Sequence, residues 1–165
     1  MVVEVDLVRA PVTAANFLRY VDAGLYDDST FHRTVTRTNQ PRDAVRIEVI
    51  QGGQIDEAKE FPPIVHETTL ATGLRHFDGT ISMARSKPGS ATSSFFCVGD
   101  QPELDFGGRR NPDGQGFAVF GRVVEGLDVV RTIHGLPAEG QQLMPAVRIL
   151  SVRRLETVKK FPRNG

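Results

Sequence analysis

The chain has 165 residues and a mass of 18.1 kDa, enough for one domain with a core of its own. Hydrophobic residues make up 39% and charged residues 24%, a composition that excludes a disordered chain. Twenty Lys and Arg balance twenty Asp and Glu, so no net field favours a nucleic acid or an anionic membrane as a partner. The single cysteine, Cys97, excludes an internal disulfide and a zinc site of several thiolates.

The sequence gives little information on location. No stretch approaches the roughly 18 apolar residues of a membrane span, and the amino terminus has no basic segment leading into an apolar one. The location is therefore unknown: it is either the cytoplasm or, if a leader has been removed, the periplasm. Nothing in the pattern demands more than a monomer.

The order of predicted elements indicates a mainly β protein. Residues 2–8 alternate between apolar and acidic side chains, which predicts a strand, and apolar residues at helical spacing after Pro11 predict a helix over 12–23. A second helix is predicted over 124–133. The remaining β-type runs lie at 30–37, 45–51, 79–85, 94–99, 116–122 and 146–154.

Seven or eight short strands with few helices favour an antiparallel barrel or sandwich over a doubly wound parallel sheet. In a closed barrel there would be no edge strands, and one or two helices would cover the ends. We expect one domain over residues 1–155 and a frayed tail over 156–165, within a basic segment that starts at Arg153.

Several catalytic classes find no support in the sequence. The four histidines, at 32, 66, 76 and 134, lack the short spacings of metal sites, so no metal is expected. No Gly-x-Ser-x-Gly elbow places a nucleophilic serine, and no Gly-x-Gly-x-x-Gly follows a strand to bind a dinucleotide. The Asp105-Phe106-Gly107 tripeptide lacks every other kinase motif.

The unusual segment is Phe31-His32-Arg33, in a predicted strand. Strand alternation puts Phe31, Arg33 and Val35 on one side, so an arginine lies between apolar side chains. The structural interpretation is an arginine whose charged end reaches solvent at a barrel rim. The functional interpretation is a fixed cationic donor.

Three later segments favour the functional interpretation. They are Gly79-Thr80-Ile81-Ser82-Met83-Ala84-Arg85, Gly89-Ser90-Ala91-Thr92-Ser93-Ser94-Phe95-Phe96 and Ala118-Val119-Phe120-Gly121-Arg122-Val123. Together they resemble the cyclophilins. The match also takes in Ala10-Pro11-x-Thr13, Asn16-Phe17, 26–33, Gln51-Gly52-Gly53, Glu103-Leu104-Asp105 and 123–130, in order over residues 3–152.

The resemblance is to a divergent, bacterial-type single-domain member. It implies a peptidyl-prolyl cis/trans isomerase on a closed eight-stranded antiparallel barrel capped by two α-helices. It also implies no cofactor, and proline-containing unfolded or flexible protein segments as partners. By position, the catalytic arginine is Arg33 and the glutamine that positions it is Gln51. The substrate-binding positions are His32, Val49, Ala84, Arg85, Ser94, Phe96, Leu104 and Phe117, of which Val49, Phe96 and Leu104 form the proline pocket.

This chain departs from the family pattern near the site. Glu48 replaces a pocket phenylalanine, Glu103 replaces an aromatic residue, and Ser94 replaces the glutamine before the Phe-Phe pair. Arg33 and Gln51 are 51 − 33 = 18 positions apart, so residues 38–44 resemble an insertion beside the active face. If Glu48 faced inward, it would pair with Arg33 and compete for the donors that the substrate needs.

Three functions remain open at this point. The first is an active prolyl isomerase, and the second is a chaperone or scaffold that binds proline segments with weak or no catalysis. The two acidic replacements and the insertion motivate the second. The third is a small-molecule carrier, which would need a hollow barrel, whereas the many apolar strand residues predict a filled one.

Overall fold

The computed structural model describes residues 1–85 and 94–155, and its main feature is one antiparallel sheet of eight strands. The strands are β1 (Val2–Val5), β2 (Thr30–Val35), β3 (Val49–Gly52), β4 (Thr80–Met83), β5 (Ser94–Cys97), β6 (Ala118–Glu125), β7 (Ala138–Glu139) and β8 (Gln142–Arg148). Their order in the sheet is β1-β6-β4-β5-β3-β2-β8-β7. This confirms a mainly β fold. The expected frayed tail at 156–165 and the Gly89–Ser93 motif lie outside the described residues.

The two predicted helices are present, with shifted ends. Helix α1 spans Pro11–Asp22, and its first turn is capped by the distant Glu67, which accepts hydrogen bonds from the backbone N–H of Val12 at 3.2 Å and of Thr13 at 2.7 Å. A four-residue helix α2 (Thr69–Thr72) was not predicted. Helix α3 spans Leu127–His134, and its carboxyl end is capped by Gly135.

The expected closed barrel is not confirmed. Among the described residues, β1 pairs only with β6 and β7 pairs only with β8, so the two ends of the sheet do not join. β1 stops at Val5 because the Asp6 carboxylate accepts the backbone N–H groups of Val8 and Arg9 and turns the chain. A cleft of about 800 Å³ is lined by residues of β1, of α1 and of the segment 149–155, and it reaches Phe31, Ile81 and Phe96.

The two faces of the sheet bury two separate apolar clusters. The main core contains residues of α1, α3 and one sheet face: Phe17, Tyr20, Val21, Phe31, Ile50, Ile81, Met83, Phe96, Phe120, Val130 and Ile133 are among its members. The second cluster consists of Val35, Ile47, Val49, Phe95, Cys97 and Leu104, with Ala84 and Phe117 packed against it. Alternation along β3 and β5 therefore sends consecutive residues to different clusters.

A β-bulge at His32 changes the expected alternation in β2. Phe31 pairs with Gly52 and Arg33 with Gln51, so two steps along β2 match one step along β3. Gly52 and Gln51 are consecutive residues of β3 and therefore lie on opposite faces of the sheet. Their partners, Phe31 and Arg33, lie on opposite faces as well. Phe31 enters the main core, whereas Arg33 shares the face of Val35 and the second cluster. The expectation that all three lie on one side is wrong.

The loop after β2 is held by a buried glutamine. Gln40, only 1% exposed, donates to the carbonyl oxygens of Thr36 and Ile47, both at 2.7 Å, and accepts the Ile47 N–H at 3.2 Å. The loop is therefore closed on itself by side-chain hydrogen bonds, so that residues 38–44 keep a defined conformation beside β2.

The start of the basic carboxyl-terminal segment is anchored by ion pairs. Arg153 pairs with Asp27 and Arg154 pairs with Asp22, each at 2.6 Å. Both carboxylates have a lowered pKa, because each accepts a hydrogen bond from its arginine. The structure thus ties residues 153 and 154 to the α1 end of the molecule.

Candidate functional site

A row of side chains crosses three neighbouring strands on the face of the second cluster. Arg33 on β2 lies opposite Gln51 on β3, and Gln51 lies opposite Phe95 on β5. The Arg33 Nη1 donates to the Gln51 Oε1 at 3.0 Å. Arg33 and Gln51, 18 positions apart in the chain, are thus brought into contact by the pairing of β2 with β3.

The guanidinium of Arg33 has a second amide partner that the sequence analysis missed. Gln141 Oε1 accepts from Arg33 Nε at 3.0 Å and from Nη2 at 2.6 Å. These bonds and the one to Gln51 use three of the five guanidinium N–H groups. In the part of the chain that the structure describes, no partner is recorded for the remaining two.

The surroundings of Arg33 are electropositive and partly buried. Burial lowers the pKa of its guanidinium, the charge of Arg110 lowers it further, and the carboxylate of Asp43 opposes both effects. An arginine remains charged at neutral pH even after such a shift. Arg33 is therefore a charged donor held by neutral amides rather than by a carboxylate.

Apolar residues lie beside this donor. Val49, Phe95 and Leu104 share the second cluster and are at most 5% exposed, and the ring of Phe117 packs edge-on against Phe95 at 5.1 Å. Phe117 and Ala84 are its half-buried members. The cluster therefore presents an aromatic edge near the surface.

The structure does not bring Phe96 together with Val49 and Leu104. Phe96 points into the main core, where its ring meets that of Phe31 at 5.8 Å, and Ser94 lies on the same interior side. Their pairing explains this, because Phe96 lies opposite Ile50, whereas Phe95 lies opposite Gln51. Phe95, and not the predicted Phe96, is thus the aromatic residue beside Gln51.

A buried Ser–His–Asp row supports Phe95 from the other side. His76 Nδ1 lies 2.7 Å from Asp105 Oδ1, and His76 Nε2 lies 3.0 Å from Ser82 Oγ. Ser82 is 0% and His76 1% exposed, so this hydroxyl cannot meet a substrate. The imidazole instead stacks on Phe95 with centroids 5.9 Å apart, which makes the row a structural support.

Arg85 lies beside Phe117 at the edge of the second cluster, and His32 precedes Arg33 in β2. The Arg85 guanidinium lies 5.4 Å from the centre of the Phe117 ring and donates to the Gly116 carbonyl oxygen at 2.6 Å. It also pairs with Asp113, whose pKa it lowers to about 2 through that hydrogen bond. His32 lies in the β2 bulge, and burial lowers its pKa, as does the charge of Arg33.

The two acidic replacements turn away from Arg33. Glu48 accepts from Arg37 Nε at 2.8 Å, and Glu103 pairs with Arg109 at 2.5 Å. The hydrogen bonds from Arg109 lower the pKa of the Glu103 carboxyl. Competition between Glu48 and the substrate for Arg33, considered from the sequence, is therefore not what the structure shows.

Two kinds of feature are absent from the part of the chain that the structure describes. Residues 1–85 and 94–155 contain no group of three or more His, Cys, Asp or Glu side chains placed to hold a metal ion. They also contain no helix of the length and apolarity that a membrane span requires.

Comparison with known proteins identifies the family. A family model described as cyclophilin type peptidyl-prolyl cis-trans isomerase/CLD matches residues 1–154. The chain is 38% identical to peptidyl-prolyl cis-trans isomerase cyp18 of Streptomyces antibioticus, over 88% of this chain and 85% of that protein. It is 37% identical to peptidyl-prolyl cis-trans isomerase B of Escherichia coli, over 78% and 74%.

A solved structure shares the fold. The cyclophilin type peptidyl-prolyl cis-trans isomerase of Cryptosporidium parvum, crystallised in the presence of the dipeptide Ala-Pro, superposes with a TM-score of 0.72 at 19% identity. The superposition covers 94% of this chain and 92% of that one. The chain described here belongs to the cyclophilin-type peptidyl-prolyl cis-trans isomerase family, and it is a peptidyl-prolyl cis/trans isomerase.

Proposed function

We propose that Arg33 is the catalytic residue of this isomerase and that Gln51 holds it toward the peptide. The proposed pocket for the proline ring is formed by Val49, Phe95, Leu104 and Phe117, and Ala84 and Arg85 line the groove for the preceding residues. The observation that carries the proposal is a charged guanidinium that keeps two N–H groups available beside a buried apolar cluster.

The reaction makes no covalent bond and breaks none. Rotation about a peptide bond is opposed by about 18–20 kcal/mol, and an X-Pro bond exchanges over tens of seconds without catalysis. In the twisted transition state the imide nitrogen loses conjugation and gains a lone pair that can accept a hydrogen bond. A donor that binds this lone pair stabilises the transition state more than either planar ground state.

Arg33 has the properties of such a donor. Its charge is not neutralised by an ion pair, because its two recorded partners are the amides of Gln51 and Gln141. Charge-assisted hydrogen bonds are the stronger ones, and a donor that is already fixed needs no reorganisation during the reaction. The amides orient the positive charge and leave it available to the substrate.

The arginine is insufficient by itself. An acceleration from ~10⁻² to ~10³ per second requires about 7 kcal/mol. One hydrogen bond to a charged group contributes about 1.5–3 kcal/mol. The remainder comes from gripping the proline ring and the flanking peptide so that the twist is confined to one bond. The Ala-Pro dipeptide used with the Cryptosporidium parvum structure supports a proline-containing ligand for this chain.

The test is exchange NMR on an Ala-Pro-Phe peptide with wild type, Arg33→Ala and Arg37→Ala. Arg37 is the matched control, because it lies four positions along the chain, is 75% exposed and pairs with Glu48 instead of an amide. We expect R33A to lose at least a hundredfold in rate, about the worth of one fixed charged donor, with an unchanged melting temperature. R37A should retain wild-type activity.

Either of two results would overturn this assignment. Full activity in R33A would remove Arg33 from the reaction. Peptide shifts without accelerated exchange in the wild type would instead mean that the site binds proline segments and does not catalyse their isomerisation.

A further inference from the structure

The second partner of Arg33 lies at the tip of a hairpin. Gly140 and Gln141 form the two-residue turn between β7 and β8, and Gly140 has the left-handed φ of +60° that such a turn requires at its first position. β8 pairs with β2 so that Gln142 lies opposite Arg33. The turn therefore places Gln141, which precedes Gln142, against the Arg33 side chain.

The side-chain amide and the backbone carbonyl oxygen of Gln141 form hydrogen bonds to β2 and to the loop that follows β2. Its Oε1 takes two guanidinium N–H groups of Arg33, and its Nε2 donates to the Asn39 carbonyl oxygen at 3.2 Å. Its own carbonyl oxygen accepts the Thr34 N–H at 2.9 Å. The amide is thus fixed in one orientation, with its oxygen toward Arg33.

Asn39 connects the hairpin tip to the loop after β2. Its Nδ2 donates to the carbonyl oxygens of Thr34 at 2.9 Å and Gly140 at 3.1 Å, and its Oδ1 accepts the Thr36 N–H at 2.8 Å. Residues 36–40 and the hairpin tip therefore form one hydrogen-bonded unit around the base of the Arg33 side chain.

We infer that Gln141 is a positioning residue for the isomerase reaction. A long arginine side chain has many rotamers, and the two bonds to Gln141 restrict the Nε edge of the guanidinium to one of them. Gln51 holds the Nη1 side, so the two amides together fix the plane of the donor. A neutral amide does this without neutralising the charge.

This inference rests on the proposed role of Arg33, and the experiment separates the two. The variants are Gln141→Met, which keeps the side-chain length and removes the acceptor, and Gln142→Met as the exposed neighbour. Arg33→Ala is measured alongside them. Exchange NMR of Ala-Pro-Phe gives the rate of isomerisation on the enzyme and the affinity for the peptide separately.

We expect Q141M to lower the isomerisation rate at least tenfold and to change peptide affinity less than twofold. The Arg33 Nε–H proton should exchange with water at least tenfold faster in Q141M, since it loses its acceptor. Q142M should match the wild type in both measurements. A merely structural role for Gln141 would lower the melting temperature without this kinetic and spectroscopic pattern.

Three results are decisive. If R33A is inactive while Q141M keeps the wild-type rate, the positioning role is wrong and the role of Arg33 stands. Equal losses in Q141M and Q142M would also overturn the positioning role, because they would report a disturbed hairpin. If R33A keeps its activity, the catalytic assignment of Arg33 itself is wrong.

Discussion

Replacing Phe95 and Phe96 one at a time tests which of two adjacent rings belongs to the proline pocket. Phe95 lies with Val49 and Leu104 in the second cluster, whereas Phe96 lies with Phe31 in the main core. We consider Phe95→Leu and Phe96→Leu, because both keep an apolar side chain of similar volume. Each variant is the matched control of the other.

The two variants should cost similar stability. The rings are 5% and 7% exposed, so each replacement removes a similar buried volume. An exchange between apolar side chains of similar volume costs about 1 kcal/mol of unfolding free energy. Melting temperatures should therefore fall by about 2–4 °C in both variants, which allows their activities to be compared at equal folding.

Their activities should differ. F95L loses part of the surface offered to the proline ring, at about 0.8 kcal/mol per CH₂. A loss of about two such contacts, roughly 1.6 kcal/mol, corresponds to about a 15-fold loss in kcat/KM. F96L should lose less than about threefold, because the Phe96 ring lies in the main core, on the other face of the sheet from Val49 and Leu104.

The assay is exchange NMR of a saturating and a subsaturating Ala-Pro-Phe peptide, with thermal unfolding of each variant as the check on folding. A larger loss in F96L than in F95L would refute the reasoning and return Phe96 to the pocket. Equal losses at equal stability would mean that the distinction between the two faces has no bearing on substrate binding.

Two further outcomes concern stability. Gly116→Ala should cost about 2 kcal/mol more in urea unfolding than Gly114→Ala: both glycines have a left-handed φ (+64° and +65°), but a Cβ at Gly116 would lie 2.5 Å from the Leu104 oxygen and one at Gly114 meets nothing within 4 Å. Equal costs would contradict this. Burial lowers the pKa of His76 from 6.5, although Asp105 opposes the shift. The unfolded chain therefore binds a proton at His76 more tightly than the folded chain does. The contribution of His76 to the free energy of unfolding is highest above pH 6.5 and falls below it. Unfolding at pH 7.5 and 5.5 should show this fall, and His76→Gln should reduce it; an identical pH dependence in that variant would exclude His76 as its source.

The sequence by itself determined the local elements and the family. Apolar spacing after Pro11 indicated helix α1 to within one residue at each end, because amphipathic periodicity over 12 residues depends on local side-chain order alone. The ordered motifs indicated the isomerase and singled out Arg33 and Gln51, which lie in two predicted strands that follow one another along the chain. Strand ends were less accurate: the run predicted over 146–154 is β8 at Gln142–Arg148.

The tertiary structure decided how these elements present their side chains. Strand alternation predicts the face of a residue only while the ladder is regular, and the bulge at His32 depends on how β2 pairs with β3 and β8. For the same reason, the pairing with β3 decided that Phe95 and not Phe96 lies beside Gln51.

Contacts between distant parts of the chain could not be predicted from the sequence, for a related reason. Gln141 lies 108 positions from Arg33, and a glutamine in a two-residue turn carries no local sign of its partner. The same is true of Glu67, which caps α1 from 55 positions away, and of the edges of β1 and β7 that leave the sheet open. A sequence pattern records which residues can be buried or can donate, and only the folded chain decides which of them meet.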